Sequence, residues 1–150
     1  MDINTARDAE YEAMLAEREA RRKHNADLTA RWNKALKDIA AAGVNLKRNL
    51  WRYDAVEKFG QEAVDKGDYA YYGHERDWFV VVNEEEGAVL KESKRLRNGR
   101  RREAQYVFFY YGALENGQKI NEAFKNNGFE TEWDGKQETA VRVNFDNFEA

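Results

Sequence analysis

The sequence has 150 residues, and its 28 acidic and 25 basic side chains give a formal net charge of −3. A net negative chain is a poor general ligand for nucleic-acid phosphates, and the absence of cysteine excludes disulfides, thiolate nucleophiles and cysteine-ligated metals. With two histidines, no apolar run of membrane-spanning length and no nucleotide-binding motif, we predict a cytoplasmic protein that uses no cofactor, metal or membrane.

The N-terminal part, residues 1–66, is predicted to be helical. Residues 4–23 are rich in alanine, glutamate and arginine, and residues 27–42 carry apolar side chains at helical spacing. We expect a break at residues 24–26, with one continuous helix as the alternative because nothing there disfavours helix. A third helix is predicted over residues 53–66, weakened by a glycine near its middle.

The apolar stripe of the first helix is thin. Tyr11, Met14 and Leu15 supply most of it, among many charged side chains. A solvated helix held by pairs of glutamate and arginine is the simpler interpretation. The alternative is a helix that stands partly free of the core and frames a contact with a partner.

Residues 67–150 change to a strand pattern. Aromatic and β-branched runs predict strands at residues 69–72 and 78–82, which we expect to pair through the charged turn between them. Residues 86–104 are ambiguous, because Asn98-Gly99 can end a helix or turn a hairpin.

An aromatic run at residues 106–112 predicts a strand buried on both faces. A helix follows and ends at Gly128, a residue that suits a left-handed cap. Residues 129–133 and 139–145 alternate with period two and predict a hairpin through the turn pair Asp134-Gly135. The predicted fold class is α+β, with N-terminal helices and a mostly antiparallel sheet holding one inserted helix, β-β-α-β-α-β-β in outline, in a single domain.

The charged turn after the first strand holds the residue types that enzymes most often use. His74 could act as a general acid or base, oriented by Glu75 or Asp77, in a hydrolase or nuclease. A charged turn between strands is common without catalysis, and no second cluster completes a site. We therefore favour a protein that is not an enzyme.

The basic segment, residues 94–102, is the strongest electrostatic feature of the sequence. Arginine side chains around a turn suit phosphate or carboxylate groups, and the adjacent strand could stack bases on Tyr106, Phe108 and Tyr110. An RNA-binding regulatory protein is the alternative function that this pattern predicts, with a solvated basic loop as the simpler interpretation. Its candidate residues are Arg97, Arg100, Arg101 and Arg102.

The C-terminal hairpin is acidic. Small acidic proteins include inhibitors and immunity proteins, whose acidic faces occupy the basic active site of a nuclease. The leading prediction is therefore a bacterial or phage-borne protein that binds another protein and inhibits it. The acidic face would be formed by Glu130, Glu132, Asp134 and Glu138.

Three segments of the C-terminal half resemble a bacterial family known as domain of unknown function 6891. They are the stretch Tyr72-Gly73-His74-Glu75-Arg76-Asp77, the strand end Phe109-Tyr110-Tyr111-Gly112, and the hairpin Gly128-Phe129-Glu130-Thr131-Glu132-Trp133-Asp134-Gly135. The family brings no known activity. The resemblance implies that His74 and Asp77 matter to the protein, without supplying a role for either.

Overall fold

The computed structural model describes residues 3–74, 77–93 and 99–148. Its helices are α1 (Ile3–Ala41), α2 (Ala55–Phe59), α3 (Gln61–Asp65) and α4 (Leu114–Asn126), with a 3-10 turn at Arg52–Asp54. Its strands are β1 (Leu46–Lys47), β2 (Ala70–Gly73), β3 (Trp78–Asn83), β4 (Gly87–Glu92), β5 (Arg101–Glu103), β6 (Tyr106–Tyr111), β7 (Glu130–Glu132) and β8 (Val141–Asn144).

The strands form two sheets. A five-stranded sheet has the order β1-β2-β6-β8-β7, and a three-stranded sheet has the order β3-β4-β5. The pair β1 and β2 is parallel, and the other pairs are antiparallel. The predicted α+β fold class is confirmed.

The core lies between α1, α4, one face of the five-stranded sheet and the adjoining part of the three-stranded sheet. Trp32 of α1 stands at its centre, with its ring centroid between 5.3 and 6.3 Å from five other aromatic rings. These rings come from elements far apart in the chain, namely Tyr72, Phe109, Phe124, Phe129 and Phe145. Burial of one large indole therefore ties the helix to most of the sheet.

The predicted break at residues 24–26 is wrong, because α1 is one continuous helix. Asn25 is buried, and its side-chain amide donates to the carbonyl of Glu85 at 3.1 Å. The ring of His24 contacts the carbonyl of Asp146. These tertiary contacts hold the segment helical where the sequence alone leaves the conformation open.

The predicted helix over residues 53–66 is interrupted. Gly60 has φ +90° and ψ 149°, a conformation outside the helical region that residues with a side chain rarely adopt. The segment therefore consists of the 3-10 turn and the two short helices α2 and α3, which meet at this glycine.

The expected pairing of residues 69–72 with 78–82 is also wrong. β2 pairs with β1 and β6, whereas β3 pairs with β4 in the other sheet. Cross-strand aromatic contacts explain the choice, since Tyr71 lies opposite Tyr110 in the observed register. In residues 86–104 the hairpin alternative is confirmed by the antiparallel pair β4 and β5, and residues 94–98 lie outside the described residues.

The run at residues 106–112 is buried on one face only. Val107, Phe109 and Tyr111 of β6 point into the core, and the residues between them are half-buried. The sequence does not reveal this alternation between buried and half-buried positions, because both faces of the strand carry aromatic side chains.

The C-terminal hairpin is confirmed, but its turn is longer than two residues. β7 ends at Glu132 and β8 begins at Val141, with a loop between them. The hydroxyl of Tyr111 lies 2.7 Å from the carbonyls of Lys136 and Thr139, which fixes this loop against the sheet. The predicted cap at Gly128 is confirmed by its φ of +82°.

Candidate functional site

The five-stranded sheet has one face covered by α1 and α4 and one face that these two helices leave uncovered. The half-buried side chains of β6 lie on the second face, beside side chains of β2, β7 and β8 in the observed register. We call this side the open face, and its side chains are Tyr71, Tyr106, Phe108, Tyr110, Glu132 and Arg142.

The aromatic rings of the open face contact one another across strands. The rings of Tyr71 and Tyr110 are stacked, with centroids 5.3 Å apart and planes 27° from parallel. Tyr106 and Phe108 meet edge to face at 5.4 Å. The guanidinium of Arg142 lies 4.1 Å from the centroid of the Tyr106 ring. The result is a continuous aromatic surface with a cation at one side.

One end of this surface is covered by α2. The ring of Phe59 packs against those of Tyr69 and Tyr71, at 5.7 and 6.3 Å. Tyr71 is consequently only 6% exposed, and this burial raises the pKa of its hydroxyl to about 12. The accessible part of the open face therefore begins at Tyr110 and runs towards Tyr106.

A cavity of about 370 Å³ lies where the chain before α2 approaches β6. Trp51 and Tyr53 stand in its wall with ring centroids 4.8 Å apart, and Tyr53 is 64% exposed. The guanidinium of Arg52 lies 4.7 Å from the ring of Tyr53 and donates to its hydroxyl at 2.6 Å. The cavity is lined by Leu50, Trp51, Arg52, Tyr53, Gly73, His74, Phe108 and Tyr110.

A second cavity, of about 230 Å³, adjoins the first. His74 lines both cavities, and Tyr106 and Arg102 continue the second one beyond it. The ring of His74 lies 6.4 Å from that of Tyr106. We call the two cavities together the groove. Aromatic rings line its length, Arg52 lies in the first cavity, and Arg102 lies in the second together with Glu103.

Residues 50–53 line one side of the groove, which we call the wall, and Asn49 anchors this segment. Its side-chain amide donates to the carbonyl of Val80 at 2.9 Å, and its carbonyl oxygen accepts the Val80 N–H at 2.8 Å. The backbone of Asn49 has φ +51°, which asparagine tolerates better than most residues. This pair of bonds fixes the start of the wall to the neighbouring sheet.

A close backbone approach completes the wall. The Leu50 N–H donates to the carbonyl of Tyr72 at 2.9 Å. A Cβ at Gly73 would lie 2.4 Å from the Leu50 carbonyl oxygen, so only glycine fits there. The glycine therefore allows the chain at Leu50 to run against β2 and brings Trp51 over the sheet.

The charge around the groove differs from that of the whole chain. Arg52 is exposed on the wall side, and its guanidinium partly opposes the rise in the Tyr71 pKa. Arg102 lies 4.7 Å over the ring of Trp78. Cations beside flat rings suit a ligand that is both planar and anionic.

The structure divides the basic residues that the sequence brings together. Arg101 and Arg102 point to different sides of β5: Arg101 forms an ion pair with Glu86, and Arg102 lines the groove. Arg100 is exposed, and Arg97 lies outside the described residues. Of the four predicted basic residues, Arg102 is the one that the described structure places at the groove.

The acidic residues are divided as well. Glu132 forms an ion pair with Arg142 at 3.0 Å. Asp134 accepts bonds from the Thr139 hydroxyl and the Lys136 N–H, and the first of these does most to lower its pKa. Glu130 and Glu138 are exposed. Two of the four predicted residues thus have partners within the chain, and their role in inhibiting a protein stays a prediction.

The catalytic candidates are only partly assembled. His74 lies in the groove, and the carbonyl of Asp77 accepts the Ser93 N–H at 2.6 Å. Glu75 lies outside the described residues. Within residues 3–74, 77–93 and 99–148, no group of three or more histidine, aspartate or glutamate side chains could hold a metal ion. A hydrolase or nuclease centred on His74 stays a prediction.

Sequence reasoning missed the wall of the groove. The sequence of residues 44–52 shows no apolar periodicity and predicts a connector. The strand β1 within it has only two residues, too few to produce a pattern. The signal that could have found the wall is the run Trp51-Arg52-Tyr53, since two large aromatic residues around an arginine are unusual in a solvated connector.

The chain matches no family model, no curated protein and no solved structure. Its resemblance to domain of unknown function 6891 stays a prediction. None of the helices among the described residues is long and apolar enough to cross a membrane. The fold and site thus define an α+β protein with an aromatic groove on the open face of its sheet.

Proposed function

We propose that this protein binds single-stranded nucleic acid along the groove. The observation that carries the proposal is the groove itself, which has aromatic rings along its length and an arginine in each cavity. A groove of two adjoining cavities suits an elongated ligand better than a compact one.

Stacking is the interaction that the groove offers first. Phe108 and Tyr110 are half-buried and Tyr53 is largely exposed, so each ring offers accessible surface to a base; the stack with Tyr71 leaves one face of the Tyr110 ring for this contact. Each stacked base contributes roughly 1–3 kcal/mol in proteins that bind single strands. Duplex bases cannot reach such rings, which makes an unpaired strand the ligand of choice.

Arg52 and Arg102 supply the attraction for phosphates. They line the groove, whereas the net charge of −3 belongs to the chain as a whole. With about two phosphate contacts, the logarithm of the affinity should fall with the logarithm of salt concentration with a slope of roughly −1.4. This modest electrostatic contribution is consistent with an acidic protein that binds a strand locally.

Fluorescence anisotropy with a labelled single-stranded RNA tests the proposal. Phe108→Ala and Tyr110→Ala should each weaken binding by roughly 5-fold to 150-fold, the equivalent of one lost stacking contact. Phe148→Ala is the matched control, since Phe148 is another half-buried ring but packs against His24 of α1. Its affinity should equal that of the unchanged protein.

Three ligands separate the outcomes of this experiment. Equal affinity for single-stranded RNA and DNA would indicate stacking without recognition of the 2′-hydroxyl, and a preference for RNA would indicate such recognition. A duplex should bind much more weakly than either. Unchanged binding by both groove variants, or an equal loss in the Phe148 control, would refute the proposal.

A further inference from the structure

The N-terminal half of α1 extends beyond the body of the protein. The helix has 39 residues, and its first buried side chain is Asn25. The guanidinium of Arg21 already lies 5.4 Å from the centroid of the Phe148 ring, so at 1.5 Å per residue the helix before Arg21 projects by roughly 27 Å. Most helix stability in proteins comes from packing of an apolar face, so a contact along this segment would stabilise it.

This projecting segment carries an apolar stripe. The exposed fractions of its large apolar side chains range from 40% for Met14 to 71% for Ile3, with Tyr11 and Leu15 between them. At 100° per residue, the stripe lies on the same side of α1 as the buried Leu28, Trp32 and Leu36. The side of α1 that faces the core thus continues past the body as an apolar stripe that also carries Arg7 and Arg18.

The charges of the segment are divided along its length. Residues 3–12 hold one basic and three acidic side chains, a net charge of −2. Residues 17–23 hold four basic and two acidic side chains, a net charge of +2. Two such segments side by side repel when they are parallel and attract when they are antiparallel.

We propose that the apolar stripe of α1 packs antiparallel against the same stripe of a second copy of this chain. The complementarity of the segment with itself selects this partner, because a two-fold axis places the acidic end of each copy on the basic end of the other.

One register satisfies both the stripe and the charges. When Tyr11 lies opposite Leu15 of the second copy, Asp8 lies opposite Arg18 of that copy, and Arg7 lies opposite Glu19. Each unlike pair occurs twice, as the symmetry requires. The apolar contact is small, so we expect a weak dimer with a dissociation constant on the order of micromolar.

Sedimentation equilibrium of the full chain over a range of concentrations tests the proposal. Tyr11→Glu should abolish the dimer, whereas Ala9→Glu should leave it intact, because Ala9 lies on the opposite side of the helix. Far-ultraviolet circular dichroism of each variant would show that the helix persists.

Charge reversal tests the antiparallel register. Asp8→Lys and Arg18→Glu should each weaken the dimer by roughly tenfold, because each loses two attractions and gains two repulsions. The double variant should return to the original affinity, which general destabilisation cannot produce. A chain that is monomeric at every concentration, or a double variant weaker than either single variant, would overturn the proposal.

Discussion

At the scale of residues, Asn49 has the most specific structural role outside the core. Its side chain satisfies both backbone groups of Val80, and its backbone adopts φ +51°. The residue thus combines a conformation that few side chains accept with two hydrogen bonds that link the wall of the groove to the three-stranded sheet.

Two substitutions separate the contribution of the hydrogen bonds to stability from that of the backbone conformation. Asn49→Gly keeps access to positive φ and should lower the free energy of unfolding by roughly 1–3 kcal/mol through the lost hydrogen bonds. Asn49→Ala should cost about 1–2 kcal/mol more, because alanine is strained at this φ. Urea denaturation measures both. Equal stability of the glycine variant and the unchanged protein would show that the two bonds contribute nothing.

Tyr71 and Tyr72 should make the fold sensitive to alkaline pH. Burial raises the pKa of each hydroxyl from 10.0 to about 12. A raised pKa means that the folded state holds the proton more tightly than the unfolded state does. The two hydroxyl groups therefore contribute stability that is fully present below pH 10 and is lost as pH rises through 12.

The ultraviolet absorbance of tyrosinate measures this effect. Burial also raises the pKa of Tyr111, so of the eight tyrosines Tyr71, Tyr72 and Tyr111 should ionise late, together with the loss of near-ultraviolet circular dichroism. Tyr72→Phe should remove part of the late transition and leave the variant less sensitive to alkali. Ionisation of all eight together near pH 10, in a protein that stays folded, contradicts the prediction.

At the scale of elements, α1 joins the sheet and α4 through Trp32. Trp32→Ala should lower the free energy of unfolding by roughly 3–5 kcal/mol, because it empties a site surrounded by five rings. Trp51→Ala is the informative comparison, since this indole is half-buried in the groove. Trp51→Ala should lower the free energy of unfolding less than Trp32→Ala does. It should weaken oligonucleotide binding more. Chemical denaturation distinguishes the two, and equal stability losses would contradict this division of roles.

Periodicity predicts the elements whose partners are local. The apolar spacing of residues 27–42 locates the buried half of α1, and Gly128 marks the end of α4. The continuity of α1 and the partners of β2 and β3 depend on contacts between distant residues. Local pattern carries no information about such contacts, so the predicted break and strand pairing were wrong.

The candidate site could also be predicted from the sequence only in part. The alternation of Tyr106, Phe108 and Tyr110 could be predicted from the sequence, because it is a property of one strand. The opposite wall could not, since Trp51 reaches the groove through the bonds of Asn49 and the close approach at Gly73. Basic and acidic clusters were predicted as units, but folding directs neighbouring side chains to different sides of a strand.

At the scale of the whole molecule, the two faces of the five-stranded sheet have different roles. The covered face buries the apolar side chains that stabilise the fold, and the open face carries aromatic rings that the helices do not cover. Exposed rings in a row are costly unless a ligand covers them, which agrees with a binding role for the groove.

Ultraviolet cross-linking of the full chain to single-stranded RNA, with identification of the linked peptides by mass spectrometry, tests the central claim most directly. We expect cross-links on the two segments that line the groove, residues 51–53 and 106–110, and their loss in a Phe108→Ala, Tyr110→Ala double variant. Cross-links confined to other segments, such as α4 or the projecting half of α1, would contradict the account. So would the absence of any cross-link at concentrations where binding is saturated.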